Sequence, residues 1–315
     1  MKILVVGAGA VGQVYGRHLA QAGHEVHFFV KPKYAAELAE GMPLYRLGFL
    51  RQRSEHWKDF GVVSDVAGVA AVQWDQIWLC MASDALRSPL TDAVLAASGG
   101  ATVVCLQPGP EDAGYVRERV VDSAQVVQGL ITFISYQSPL PGQAGPAGIA
   151  YFLSPLAPGL FGGESQRTRS VVNALRQGGM AAKQVANLEK AAGGSEGVLI
   201  PLIAALEQHD WKLKGFGGSA ALQQGRAATR EALAVLAASR GASVKVERLM
   251  ASGPVTTLLL MLAPRILPLA LEPYLKYHFS KVGVQTRQML ASYIRLGDER
   301  QLPVENLRHL LNGLP

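Results

Sequence analysis

A doubly wound α/β domain followed by an all-helical domain is the fold class this sequence predicts. Three observations predict it. A buried strand, a glycine turn, a helix and a second strand fill residues 3–30. Short apolar runs then alternate with helical stretches to about residue 163, and beyond about residue 185 only helix-forming runs remain. The 315 residues suffice for two cores, and 49% hydrophobic against 17% charged residues, with no low-complexity tract, is the balance of an ordered globule.

Ile3–Val6 is a short apolar run of the kind that forms a fully buried parallel strand. Gly7-Ala8-Gly9-Ala10-Val11-Gly12 follows at once, and the helical stretch Val11–Ala22 closes at Gly23, a good C-cap residue. His24–Val30 is the next strand. Further strands are expected at Gly61–Val63, Gln76–Met81 and Thr102–Gln107, with helices at Ala85–Ala97 and Glu111–Val120. Residues 123–163 hold no charged residue in 41 positions, and Pro139, Pro141, Gly142, Gly145 and Pro146 interrupt them. They read as late strands around Val126–Tyr136 and Ile149–Leu153. The run ends at Gly162-Gly163, which sets the expected domains at 1–165 and 166–315. Helices are then expected at Ser165–Gln177, Asn187–His209, Gly218–Ser239 and Phe279–Leu296.

Cys80 and Cys105 sit in apolar runs and read as core residues, with no partner for a disulfide or a metal site. Met1-Lys2 leads directly into a strand, so a cytoplasmic location without a signal peptide is expected. The most apolar segment, Val255–Leu271, is broken by Pro264, Arg265 and Pro268, and a spanning helix needs about 20 clean residues. A core or interface helix is the expectation, with a bilayer surface or a partner as the alternative. Residues 1–165 carry 11 Lys+Arg and 14 Asp+Glu, or −3; residues 166–315 carry 19 and 10, or +9. A cationic second domain draws an anionic substrate or cofactor. Basic runs interleaved with aromatics are lacking, so no nucleic-acid partner is expected.

Gly7, Gly9 and Gly12 form GxGxxG between a strand and a helix, the Rossmann arrangement for a dinucleotide. The first glycine allows the tight turn, the second lets backbone approach the pyrophosphate, and the third allows close helix–strand packing. Free N–H groups at the helix start then hold phosphate. An acid ending the second strand would bond the ribose 2′-OH of NAD. Here the strand runs Phe28-Phe29-Val30 into Lys31-Pro32-Lys33, with cations where a 2′-phosphate would lie. The cofactor expected is NADP(H).

The chain resembles the ketopantoate reductases (2-dehydropantoate 2-reductases). The likeness rests on Met1-Lys2-Ile3, Gly7-x-Gly9-Ala10-x-Gly12-Gln13, Gly23-His24-Glu25-Val26, and Leu106-Gln107-x-Gly109; Leu302-Pro303-Val304-Glu305-Asn306 is similar to the family's closing motif. The resemblance implies a Rossmann domain, a 6-phosphogluconate-dehydrogenase-like helical domain, and hydride delivery to a 2-keto acid. It implies a cofactor set of Gly7, Ala8, Gly9, Ala10, Val11, Gly12, Lys31, Met81, Ala82, Gln107 and Pro108. Departures accompany it. Met81-Ala82-Ser83 stands where the family has a lysine, and Pro108 replaces its asparagine. Aligned on Pro201-Leu202, Ala192 takes the catalytic lysine's position, with Glu196 and Ile200 at two asparagine positions. Counting back from Pro303 puts Gly283 or Val284 at the family's substrate-binding glutamate.

Ketone reduction needs an acid for the developing alkoxide, and a cation can donate to it and stabilise it. Lys190 is the candidate catalytic residue, two positions out of register unless Gly193-Gly194 shifts the helix phase; the alternative is a surface lysine paired with Glu189 or Glu196. Glu196 is a second candidate, to orient substrate or lysine. The polar cluster His209-Asp210-Trp211-Lys212-x-Lys214 is a third, against a solvated helix end. The expected partner is a small anionic substrate, with a homodimer through the helical domain as the candidate assembly. A different class stays open: an NADP-binding protein without hydride transfer that engages a partner through Val255–Ser280.

Overall fold

The computed structural model describes residues 1–109, 111–241 and 244–315, the surroundings of Gly193 excepted. The chain divides into two units: Met1–Pro139 with Gln143–Leu188, and Glu189–Pro315 with Leu140–Gly142.

The first unit begins β1 (Lys2–Val6), α1 (Ala10–Gln21), β2 (Glu25–Phe29), α2 (Ala35–Ala39), β3 (Met42–Arg46), β4 (Arg53–Trp57) and β5 (Gly61–Val63). It continues α3 (Val66–Ala70), β6 (Gln76–Leu79), α4 (Ser83–Leu86), α5 (Pro89–Ala96), β7 (Thr102–Cys105) and α6 (Asp112–Arg117). It closes with β8 (Val126–Leu130), β9 (Ile134–Ser138), β10 (Gly148–Phe152), β11 (Gly159–Gly162), α7 (Ser165–Gln177) and β12 (Ala182–Gln184). Eight strands form one sheet in the order β12-β11-β8-β7-β6-β1-β2-β5. All its neighbours run parallel except β8 and β11.

The apolar runs behave as two-faced buried strands do. Ile3 and Val5 join a cluster with Tyr15, Leu19, Trp78 and Val171, whereas Leu4 and Val6 join one with Val69, Leu86, Val94 and Val116. Each such side chain removed from water contributes about 1.5–3 kcal/mol. One long expected helix is two: Ser88 caps a fresh start at Pro89, its hydroxyl accepting from Thr91 N at 3.3 Å. A second sheet, β4-β3-β10-β9, was not expected from the sequence. Its strands β4 and β9 are half exposed and polar on both faces, so no alternation marks them.

The expected edge at residue 165 differs from the observed division. β11, α7 and β12 make a strand–helix–strand crossover, with β12 parallel to β11 at the sheet edge (Gly159↔Ala182). Gly162-Gly163 therefore marks the turn into α7, and the sheet unit runs on to Leu188. α7 comes close to α1 because Gly178 lacks a side chain: a Cβ there would lie 1.8 Å from His18 O. His18 is buried and its Nδ1 donates to Gly178 O at 2.6 Å.

The second unit is helical: α8 (Leu188–Gln208), α9 (Ala220–Arg240), α10 (Lys245–Met250), α11 (Gly253–Ile266), α12 (Leu271–Lys281), α13 (Gly283–Asp298) and α14 (Glu305–Asn312). The stretch expected as one helix over Phe279–Leu296 breaks at Val282, between α12 and α13. Leu206, Phe216, Leu236, Leu290, Tyr293 and Leu307 form its core. The carboxylate of buried Glu231 on α9 accepts from Asn306 N at 3.1 Å, Asn306 Nδ2 at 2.5 Å and Leu307 N at 2.9 Å. It thereby satisfies orphan donors at the head of α14, where no local side chain caps.

Candidate active site

The turn from β1 to α1 is shaped by its glycines. Gly7 has φ +102°, a conformation side chains resist, and its N donates to Phe29 O at 3.0 Å. A Cβ on Gly12 would lie 2.0 Å from Gly7 O, so only glycine lets the helix start this close to the strand. Gly9 is different: among the described residues nothing lies within 4 Å of a Cβ built there. Gly9 is the N-cap of α1, no side chain caps the helix, and its first turn holds no acid. The N–H groups of Ala10 and Val11 head the helix, where an anion is favoured by both hydrogen bonding and the helix dipole. Ala8 faces the same turn, its carbonyl taken by Gln13 Nε2 at 2.8 Å. The open space at Gly9 above uncapped donors fits a dinucleotide pyrophosphate.

β2 ends beside this turn. Val30 N donates to Val63 O at 3.1 Å, and Lys31 follows as the exposed N-cap of a short turn over Pro32–Tyr34. Lys33 Nζ lies 4.8 Å from the Tyr34 ring centre. Residues 28–34 include no acid, so the strand end is cationic.

The loops after β6 and β7 are tied together. Gln107 is buried, and its amide is committed within the protein: Nε2 donates to Leu79 O at 2.9 Å and Met81 O at 2.7 Å, and Oε1 accepts from Leu106 N at 3.2 Å. Cys105 Sγ also lies 3.2 Å from Oε1, and burial pushes that thiol up to about 11, so it stays protonated. Gln107 thus fixes Met81 rather than presenting its own side chain. Ala82 and Pro108 stay exposed on the same two loops. Sequence reasoning missed a second tie. Buried Asp112 accepts from Ser83 Oγ at 2.7 Å, Arg87 Nη1 at 2.5 Å and Gly109 N at 3.0 Å. A Cβ on Gly109 would collide with the Asp112 carboxylate at 2.4 Å. The one signal was an acid three residues beyond Gly109.

In the helical unit, Ala192 and Ile200 on α8 are buried and Glu196 is half-buried on the same face. Glu196 Oε2 pairs with Arg240 Nη1 on α9 at 3.2 Å. Burial raises its carboxyl above the usual range, and the Arg240 guanidinium opposes that rise. Lys190 lies on the exposed face of the first turn of α8. Gly193 lies outside the residues whose surroundings are described. Gly194 is a packing position: the Glu247 side chain fills the place of a Cβ there, 2.3 Å away at Cδ. In the His209–Lys214 cluster, Trp211 is buried, Lys212 Nζ lies 3.5 Å from Asp210 Oδ2, and His209 lies against Phe216 at 5.5 Å.

Over residues 3–150, just under half of the chain, the sequence matches the family model described as ketopantoate reductase PanE/ApbA. Residues 3–150 are thus similar to that family. Comparison with curated proteins gave no match. Solved structures match the fold along nearly the whole chain. A PanE/ApbA family ketopantoate reductase from Ralstonia eutropha JMP134 is 20% identical with TM-score 0.73, covering 99% of this chain and 96% of that one. A 2-dehydropantoate 2-reductase from Geobacter metallireducens GS-15 is 14% identical with TM-score 0.68, covering 100% and 99%. D-mandelate dehydrogenase, in a ternary structure with NADH and anilino(oxo)acetate, is 15% identical with TM-score 0.71, covering 100% and 97%. The α/β region followed by a helical region is the fold these proteins share.

Proposed function

We propose that this chain is an NADP(H)-dependent reductase acting on the carbonyl of a small anionic 2-keto acid or a related substrate. The observation that carries the reading is the head of α1: open space at Gly9, uncapped donors and no acid, in the part of the chain that matches the family. Ala10 and Val11 N–H groups hold pyrophosphate, with Gly7, Ala8 and Gly12 shaping the turn. Lys31 reads the 2′-phosphate; Met81, Ala82 and Pro108 border the bound dinucleotide on loops that Gln107 and Asp112 hold still. A nicotinamide dinucleotide, when bound, supplies the hydride. Lys190 gives the proton to the carbonyl oxygen, whereas Glu196 is spent on holding α8 to α9. The +9 of residues 166–315 favours an anionic substrate. Ketopantoate fits poorly, because Ala192 and Ile200 offer it no polar group.

D-mandelate dehydrogenase has NADH in its structure, so this fold alone does not choose the coenzyme; the strand end must. Fluorescence titration should give NADPH at least tenfold tighter binding than NADH, about 1.4 kcal/mol. Lys31→Ala should erase most of that preference. Equal affinities in the unmodified protein overturn the NADP assignment. With a keto acid that turns over, Lys190→Ala should lower kcat by about 100-fold, as loss of a general acid does, at unchanged NADPH affinity; an unchanged kcat removes Lys190 from proton transfer.

A further inference from the structure

The segment from α10 to α12 has apolar side chains turned to solvent. Val246 and Leu249 on α10 are 66% and 62% exposed; Leu258, Met261 and Ile266 on α11 are 53%, 58% and 54% exposed, with Leu262 beside them. At about 3.6 residues per turn, positions 258, 261, 262, 265 and 266 share one half of the α11 circumference. The opposite side holds Thr256, buried, its hydroxyl donating to Met250 O at 2.7 Å. The helix is apolar on both sides: Leu260, on the side of Thr256, packs against the core of the unit, and the opposite side presents its apolar chains to solvent.

The exposed charged side chains of α10 and α11 are all cationic. Lys245, Arg248, Arg265, Lys276 and Lys281 are exposed. The two acids of residues 244–281 each contact another residue of the unit, Glu272 while remaining exposed. Glu272 Oε2 accepts from Leu213 N at 2.7 Å, and Glu247 lies against Gly194. Arg265 stands within the apolar stripe and folds back, Nη1 donating to Met261 O at 2.5 Å, as a cation does whose stem lies along apolar surface.

We propose that α10 and α11 form a docking surface for an anionic lipid bilayer. Exposed Leu, Met and Ile ringed by Lys and Arg suit insertion at the headgroup boundary. Among the described residues no single helix is long and apolar enough to cross a membrane. The helices over Gly253–Ile266 and Leu271–Lys281 are long and apolar enough only as a pair, and they meet at 105°, a bend that suits lying at the headgroup boundary better than crossing. A second copy is a poorer occupant, because a two-fold contact sets each patch against itself and opposes its cations with like cations.

The test uses the full chain and two kinds of vesicle, phosphatidylcholine alone and an equimolar mixture with phosphatidylglycerol. Flotation should recover the protein with the mixed vesicles at least tenfold more than with the neutral ones, falling as salt is raised. Leu258→Glu with Met261→Glu should lose this binding while the circular dichroism spectrum and NADPH titration stay as before. Arg248→Glu with Arg265→Glu, which leaves the apolar stripe intact, should lose it too. No flotation with the mixed vesicles, or flotation unchanged by both pairs, overturns the proposal. So does a dimer, seen by light scattering without vesicles, that Leu258→Glu dissociates, since a second copy then covers the face.

Discussion

The heads of α1 and α8 are both rich in glycine and use it in opposite ways. At α1, Gly12 brings the helix against Gly7, and Gly9 leaves room that no atom of the described residues fills. At α8, Glu247 occupies the place beside Gly194, and Leu236 and Leu233 lie 2.8 and 3.1 Å from a Cβ at Gly197. On the proposed function, one set of glycines makes space for a ligand; the other makes space for neighbouring helices. What separates them is the buried strand that ends directly in the first set, which forces the backbone to turn with its donors outward.

That contrast can be broken by substitution. The largest effect is expected at Gly9→Val. With nothing within 4 Å the side chain fits the folded protein, so Tm should hold within about 2 °C. The isopropyl group stands in the pyrophosphate's path, and NADPH affinity should fall at least 100-fold, about 2.7 kcal/mol, by fluorescence titration. Next comes Gly197→Val, which crowds Leu233 and Leu236 in the helical core. Overpacking of this kind costs about 1–3 kcal/mol, to be read from urea unfolding, at unchanged NADPH affinity. If Gly197→Val instead abolished NADPH binding at full stability, the two glycine sets would not differ in use.

The smallest effect sharpens the comparison at the other end of α1, where the helix is packed as tightly as α8. Burial lowers the His18 pKa from the usual 6.5, the Gly178 carbonyl partly opposing it. The folded state then binds fewer protons than the unfolded one. Stability is complete above about pH 6.5 and is lost as pH falls below it, by up to about 1.4 kcal/mol per pH unit for one proton. His24 and His278, lowered likewise by burial, add to the same acid limb. Urea unfolding across pH 5 to 7 should show a shallower slope in His18→Gln; an unchanged slope would mean that His18 is charged in the fold.

The first βαβ unit was legible because Ile3–Val6 is buried on both faces and so reads as an unbroken apolar run. The helical unit was legible by the length of its runs. β3 and β4 were not, since Arg46, Arg53, Ser54 and His56 carry polar groups along paired strands, and β3 finds its partner β10 far along the chain. The Asp112 tie was equally hidden: Ser83, Arg87 and Gly109 converge on one carboxylate only once β6 and β7 have paired. On α8 the resemblance placed Ala192, Glu196 and Ile200 at family positions, and they share one face of the helix, but sequence gives no sign that Arg240 waits opposite Glu196.

The carboxylate of Glu231 has a consequence for the order of assembly. The strands of the sheet unit are all made by residue 184, and that unit can close while the rest of the chain is still being synthesised. The helical unit cannot. Glu231 sits buried on α9, and its partners are the N–H groups that open α14. Until residues 305–312 leave the ribosome, the nascent α9 holds an acid with no donor, a group costly to bury alone. The helices from α8 to α13 should therefore stay loosely formed on the ribosome and lock together late, when α14 docks.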